Sequence, residues 1–523
     1  MSLSFHTSTS FDSLKGKFSS LFRSYISSPD TFSELTAFSP TKEGIAKAIQ
    51  ERSNYPVNRP LLVDVLQQQY QTDGISLPPF VNDLIQPTTF TITTGQQIGI
   101  GLGPFYTVLK IIAAIRYSKW CSIHFPENKF IPVFWMATED HDIQEIQSLH
   151  VFSKEYTWIT EQTGAVGRMK TDGIAELFDT IPDFPFWVKE VYATSVSLSQ
   201  ATRRLVHELF KDYPILILDG DDAALKQQCI PLFKKEVIEQ AALEASQTST
   251  EKIKAMGWDT QVYVRPINLF YLVNNRRERL VKEGDSYLVP TGDKQWTEAE
   301  LLQEIEQRPE HFSPNVVLRP VYETTILPDV VYVGGPGEMA YWIQLLPVFQ
   351  SFGSFFPVLF PRLHLGGMSV TQWNMLKQYS CTIEELSDEE KKIRSKITQL
   401  LTETVIDFTE EKNLLLAQWT AIEHKVLTVD TTMVATVKGD RVKVEKMLLD
   451  LEKKVQKALE RKQDVPIQKV LKLKEKIFPN DGLMERKESL WTWYINSAEV
   501  ISNLVEHPFD GTFEMEWWCY DEK

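Results

Sequence analysis

The segment Thr89-Phe-Thr-Ile-Thr-Thr-Gly-Gln-Gln-Ile-Gly-Ile-Gly-Leu-Gly-Pro-Phe-Tyr-Thr-Val-Leu-Lys110 passes from one structural period to another. TFTIT, at 89–93, is β-branched and aromatic and predicts a strand, and TGQQIGIGLG, at 94–103, predicts a glycine-rich turn. From Pro104 to Trp120 the apolar residues recur at three and four, the spacing of a helix. Phe130 to Ala137 (FIPVFWMA) then runs almost unbroken in apolar side chains, as a strand covered on both faces does. Strand, turn, helix and buried strand make a βαβ unit, the building block of a parallel sheet.

Outward from this unit the same texture returns. Pro214 to Leu218 (PILIL), Val330 to Val333 (VVYV) and Phe356 to Phe360 read as further buried strands. Between them, about 240–314, β-branched and aromatic stretches including TQVYVRPINLFYLVNN predict a strand pair inserted into an α/β core. After about Thr382 the composition shifts to Lys, Glu, Leu and Val. Leu448, Leu451, Val455 and Leu459 recur at helical spacing, which predicts a long antiparallel coiled-coil hairpin over 382–478. Pro466 fits a kink or the first turn of a new helix after Asp464. The aromatic stretch 479–523 predicts a tail packed back on a core spanning 1–381.

The chain of 523 residues has 55 basic and 70 acidic side chains, a net charge of −15. That balance argues against nucleic acid or an anionic membrane as partner, though not against a small anion in a local basic pocket. The N-terminal stretch has no apolar signal-peptide core, and no run approaches the ~18 apolar residues of a membrane span. Four cysteines lie far apart without a CxxC pair, so no metal centre is expected and a reducing, cytoplasmic setting is.

Three motifs could carry chemistry. In the first, glycines between strand and helix allow a ligand close to the backbone near a helix N-terminus; Thr94, Gly95, Gln96, Gln97, Gly103, Tyr106 and Lys110 are candidate binding residues. The spacing is neither GxGxxG nor GxxxxGKS, and a plain tight turn is the alternative. In the second, Thr138-Glu-Asp-His-Asp142, an imidazole among carboxylates follows a buried strand. His141 or Asp142 could serve as a general base and Asp140 could bind; an N-cap would place the same residues there. The third is Gly334-Gly-Pro-Gly-Glu-Met-Ala-Tyr-Trp342, with Gly334, Gly335, Gly337 and Tyr341 as binding candidates and Glu338 as a catalytic one. Arg265, Arg319 and Arg362, each beside proline in apolar surroundings, are either structural ion pairs or ligands for an anionic substrate.

TGQQxGxxxGPxYTxxK (94–110), PVFWxAxEDHD (132–142) and GGPGExAYW (334–342), together with INLFY (267–271) and FPNxxLxER (478–486), resemble the BshC family of bacillithiol biosynthesis. The resemblance implies a cysteine ligase that joins the carboxyl group of L-cysteine to the amine of glucosaminyl-malate. It also implies a Rossmann-like core similar to class I aminoacyl-tRNA synthetases, with connecting-peptide insertions, and a homodimer formed through the coiled coil. Amide formation then calls for ATP, although neither a HIGH signature nor a KMSKS loop is present; Gly366-Gly-Met-Ser369 lacks the lysines. Malate's two carboxylates would give the arginines a partner, and Arg486 could mark a second ligand site. A nucleotidyl- or glycosyltransferase on the same crevice, or a non-catalytic coiled-coil scaffold, are the other readings.

Overall fold

Strand β1 (Thr89–Gln97) leads through the glycine turn into helix α1 (Tyr106–His124), which returns to β2 (Lys129–Ala137), parallel to β1 and in register along its whole length. Helix α2 (Leu198–Leu209) and strand β3 (Leu216–Asp219) extend the sheet on that side. On the other side β1 pairs with β7 (Asp329–Gly334), which pairs with β8 (Val358–Pro361), so the parallel sheet has the order β8-β7-β1-β2-β3. The computed structural model describes residues 3–14, 16–273, 275–292, 294–402 and 407–521.

Sheet order reverses between β1 and β7, since successive strands are added outward from β1 on one side and from β7 on the other. Open α/β sheets bind ligands beyond the carboxyl ends of strands at such a point. Strands β2 and β7 carry long apolar runs because helices cover both faces: Ile131, Phe134 and Trp135 of β2 and Val330, Val331 and Val333 of β7 are all buried. This is a Rossmann-like α/β architecture.

An insertion separates β3 from β7. Its antiparallel hairpin, β4 (Leu269–Val273) with β5 (Arg276–Arg279), takes β6 (Phe312–Pro314) against β4. The chain then enters α3 (Arg319–Ile326), β7 and α4 (Pro336–Gln344), where proline begins the helix, a position that needs no N–H donor.

Residues 1–367 and 483–523 form one compact unit and 368–482 another. In the first, the chain's two ends pair, Leu3–Thr9 running antiparallel to Met515–Tyr520. In the second, α6 (Thr409–Leu427) and α7 (Val434–Lys462), which follow α5 (Glu390–Leu401), form the antiparallel helical hairpin. Trp419 Nε1 donates to Val437 O at 2.9 Å, and Lys412 meets Glu445 at 2.8 Å. Its seam differs from the expected one at one residue. Leu448, Val455 and Leu459 are half-buried, but Leu451 is 49% exposed and Glu452 takes its place, because the three–four alternation from Leu448 reaches 452 before 455. Pro466 lies in the first turn of a new helix, α8 (Asp464–Ile477).

Candidate active site

A cleft of about 700 Å³ lies beyond the carboxyl ends of β1 and β2, beside the first turns of α3 and α4 and against the β4–β5 hairpin. Its floor is the end of β1: Gly95, Gln96 and Gln97. Gly95 lets the Arg319 and Tyr332 side chains come close to the backbone, since a Cβ atom would stand 3.2 Å from Arg319 Nη1 and 3.4 Å from the Tyr332 hydroxyl.

One buried polar network joins Lys110, Glu338 and Arg319 beneath that floor. Lys110 Nζ donates to Gly95 O (2.7 Å), Gln96 Oε1 (2.9 Å) and Glu338 Oε2 (2.5 Å), so its three protons are all in use. Glu338 also accepts from its own helix start, Gly335 N–H, at 3.1 Å, and from Tyr332 Oη. Burial would raise the Glu338 carboxyl, but Lys110 and Arg319 outweigh it and hold the group below its ordinary range. Burial pushes Lys110 down, partly offset by Glu338.

Arg319 donates to Glu323 Oε2 at 2.6 Å and to Tyr332 Oη at 3.2 Å, with Tyr341 Oη at 3.5 Å. Below it, Asp329 accepts from Thr91 and Thr93, alternate residues on one face of β1. Burial raises both Glu323 and Asp329, each of which keeps one buried oxygen without a hydrogen-bond donor.

The walls bring further charge. Arg277 of β5 lies 4.0 Å over the Phe270 ring, donating from Nε to Ser313 Oγ and from Nη2 to Pro314 O, both at 3.0 Å. Arg265 and Arg279 line the rim, Arg265 beside the Tyr263 ring at 5.8 Å. With Arg319, four guanidinium groups border a single cleft in an acidic chain. Glu139 and Asp140, just past β2, form the opposite wall. Burial raises Asp140, but hydrogen bonds from His141 and Gln97 and the charge of Arg277 hold it well below the usual carboxylate range. Glu139 meets the fully buried Lys226 at 2.5 Å; Lys226 also pairs with Asp221 at 2.8 Å.

The candidates Gly95, Gln96, Gln97, Lys110, Asp140, Arg265, Arg319, Glu338 and Tyr341 therefore meet at one cleft. The remaining ones do not line it. His141 and Asp142 are exposed, and Asp142 accepts from Gln144 N–H at 3.1 Å, capping the short helix that follows. His141 Nδ1 stands 3.4 Å from Arg277 Nη1, on the outer side of that arginine. Thr94 is buried and donates to Val333 O at 2.8 Å, tying β1 to β7.

The Gly99–Gly103 turn is not an open anion cradle. Gly101 N–H donates to Tyr192 Oη and Gly101 O accepts from Trp491 Nε1, both at 2.8 Å. A Cβ at Gly101 would meet the same indole at 3.0 Å. Gly103 N–H is taken by Ile100 O at 2.9 Å, and Phe105 N–H by Glu488 O at 2.8 Å. Tyr106 is half-buried, with the Arg362 guanidinium 5.5 Å from its ring. Gly334 and Gly335 serve packing and the start of α4, while Gly337 has open space around it. Arg362 is a structural ion pair: it meets Glu485 at 2.6 Å, and His364 Nδ1 lies 2.8 Å from the same carboxylate. Burial would raise Glu485, yet Arg362 and His364 hold it at about 2. Arg486, next in sequence, is exposed.

Arg277, Arg279, Glu139, Glu323 and Tyr332 were not among the sequence candidates. For the two arginines a signal existed, because residues two apart on the expected strand pair share a face. Among the described residues, no group of histidine, cysteine and carboxylate side chains is placed to hold a metal ion. No helix among them is long and apolar enough to cross a membrane.

Comparison with known proteins agrees with this architecture. Residues 8–363 match the family model for the N-terminal Rossmann-like domain of bacillithiol biosynthesis BshC, and residues 368–517 match that for its C-terminal coiled-coil domain. A Cytophaga hutchinsonii protein named "Putative cysteine ligase BshC" is 40% identical over 507 residues, 97% of this chain and 97% of its own. Relatives of the same name from Flavobacterium johnsoniae and Salinibacter ruber are 34% and 28% identical, over 94% and 87% of this chain and 95% and 87% of theirs. Among solved structures, a Campylobacter jejuni protein described as a "putative arginyl t-RNA synthetase" aligns with 87% of this chain and 100% of its own. At 8% identity and a TM-score of 0.21, that likeness is too slight to bear on the fold. With both domain models matched and relatives above 30% identity along nearly its whole length, the chain belongs to the BshC family.

Proposed function

We propose that the protein is a ligase that joins the carboxyl group of L-cysteine to the amine of glucosaminyl-malate, completing bacillithiol. The observation that carries this reading is the ring of Arg265, Arg277, Arg279 and Arg319 around one cleft at the point where the sheet order reverses. An acceptor bearing two carboxylates suits paired guanidinium donors, and a cleft of about 700 Å³ is in the range that takes small-molecule ligands. The relatives' names supply the cysteine.

A free carboxylate does not acylate an amine at neutral pH, so the reading includes ATP as the co-substrate that activates cysteine. The N–H groups of Gly101, Gly103 and Phe105 are spent within the protein, which leaves the rim arginines, Arg265 and Arg279, as the partners for phosphate. Lys110 and Glu338 then act as the frame that fixes Gln96 and the backbone of Gly95 against the substrates.

The test is to incubate the purified chain with L-cysteine and glucosaminyl-malate, with and without ATP, and to weigh the products. The expected result is a species of the summed mass less one water, formed only with ATP. Transfer of a nucleotidyl or glycosyl group instead would replace the ligase reading. The same reading makes the protein a cytoplasmic homodimer. Exposed Leu414, Val442 and Met447 on the helical hairpin support such a contact, and sedimentation of the full chain tests it.

A further inference from the structure

Three carboxylates line the cleft, Glu139, Asp140 and Glu338, and they differ in what remains free on each. Both Glu338 oxygens are engaged, one by Lys110 and the Gly335 N–H, the other by Tyr332. Both Asp140 oxygens are engaged as well, by the Gln97 side chain and the His141 N–H, with Arg277 3.8 Å away. These two carboxylates are held ionised, with a protein donor on each oxygen.

Glu139 is different. Its Oε1 is buried and meets Lys226 Nζ at 2.5 Å with no further partner, while among the described residues Oε2 makes neither an ion pair nor a hydrogen bond. The side chain keeps 12% of its surface, and that surface faces the cleft. Behind it Lys226, wholly buried, divides its charge between Glu139 and Asp221, and Asp221 is itself gripped by Arg168 through two bonds of 2.7 and 2.9 Å. The charged and titratable groups around Glu139 are thus Lys226, Asp221 and Arg168 at its back, Arg277 across the cleft and Tyr322 from α3. Burial is the dominant influence, ahead of the attraction of Lys226, and raises the proton affinity of this carboxyl. A general base needs this combination: an acceptor oxygen open to the substrate, a proton affinity lifted toward neutrality, and rigid support behind it.

Resting on the ligase reading above, we infer that Glu139 is the catalytic base that takes the proton from the attacking amine. The amine nitrogen forms its bond to the acyl carbon of ATP-activated cysteine. The bond from that carbon to the phosphate-bearing oxygen breaks, and its electron pair leaves with the phosphate group. The ammonium proton passes to Glu139 Oε2. Lys226 is a positioning residue, holding Oε1 so that Oε2 faces the amine.

The experiment compares Glu139→Gln with the wild-type full-length chain on two nucleophiles, with ATP and L-cysteine present in both. Glucosaminyl-malate needs a base to lose its ammonium proton. Hydroxylamine is already neutral at pH 7, needs no base, and traps activated cysteine as its hydroxamate. E139Q is expected to lose at least about 100-fold in amide formation, within the usual contribution of a general base, while hydroxamate forms within about threefold of wild type. The wild-type amide rate should fall as pH drops through the raised Glu139 titration, and that limb should vanish in E139Q. Amide formation within threefold of wild type, or an equal loss of both products, overturns the assignment. If E139Q fails to fold, Glu139→Asp, shortened by one methylene, should lose at least tenfold in amide and keep hydroxamate. A wild-type chain that forms neither product removes the ligase reading itself, which is a separate failure.

Discussion

Replacing Lys110 by methionine keeps the aliphatic stem and deletes the ammonium group that three cleft-floor acceptors share. The Lys110 side chain is 5% exposed and that of Glu338 14%, so solvent cannot substitute for the lost partner. Breaking a buried ion pair from one side costs about 3–5 kcal/mol, because the remaining charge stays buried. Here Glu338 keeps the Tyr332 hydroxyl and Gly335 N–H, with Arg319 4.0 Å away, which places the expected loss near the lower end, about 3 kcal/mol. Adding Glu338→Gln removes the stranded carboxylate. The double variant should therefore recover part of the loss, with a coupling of about 1–3 kcal/mol.

The pH dependence has a definite sign. The folded state holds Glu338 below its unfolded value, so this stabilisation is present above the ordinary carboxylate range and lost as pH falls through the folded value. The gap between wild type and K110M should be widest near neutrality and narrow below about pH 4. Urea unfolding followed by tryptophan fluorescence, across a pH series and for all four members of the cycle, measures these quantities. K110M within about 1 kcal/mol of wild type, or strictly additive single variants, would refute the claim that this pair holds the cleft floor.

Arg265→Ala and Arg279→Ala remove exposed rim charges, so each should raise KM for ATP about tenfold, the loss of one charge-assisted bond, with melting temperature nearly unchanged. His141→Ala should leave turnover within about threefold, since the ring lies outside the cleft; a hundredfold loss of kcat would return the proton-transfer role to it. Gly101→Ala places a side chain at φ +56° and a Cβ 3.0 Å from Trp491 Nε1, and should cost at least ~1–2 kcal/mol by thermal denaturation.

The sheet was legible because strands covered on both faces favour long apolar runs. FIPVFWMA and VVYV are such runs, and they became β2 and β7. The helical hairpin was legible for the related reason that a seam repeats. Where the reading slipped, at Leu451, two registers of the same stripe differ by one residue, and only the partner helix distinguishes them.

The site was legible as a place more than as a set of roles. Glu-Asp-His-Asp beyond β2 announces polar residues at a ligand-binding edge, but past the last strand residue the alternation that assigns faces no longer applies. Thr138 turns to Asp219, Glu139 and Asp140 to the cleft, and His141 and Asp142 to solvent. Arg277 shares a face with Arg279 on the expected strand pair, but the sequence does not say which face meets the cleft; it lines the cleft because Phe270, Ser313 and Pro314 come to it from other strands.

The glycine turn shows the limit most clearly. A glycine with little room for a Cβ establishes that something approaches the backbone, and the sequence leaves open whether that is a ligand or the protein. At Gly95 the neighbour is Arg319, and the space helps form the cleft floor; at Gly101 it is Trp491, 390 residues away, and the backbone donor and acceptor are already spent. Two glycines six positions apart in one motif thus have unrelated purposes. Substitution separates them: Gly95→Ala should disturb Arg319 and substrate affinity, whereas Gly101→Ala should lower stability and leave the affinity of the molecules that remain folded unchanged.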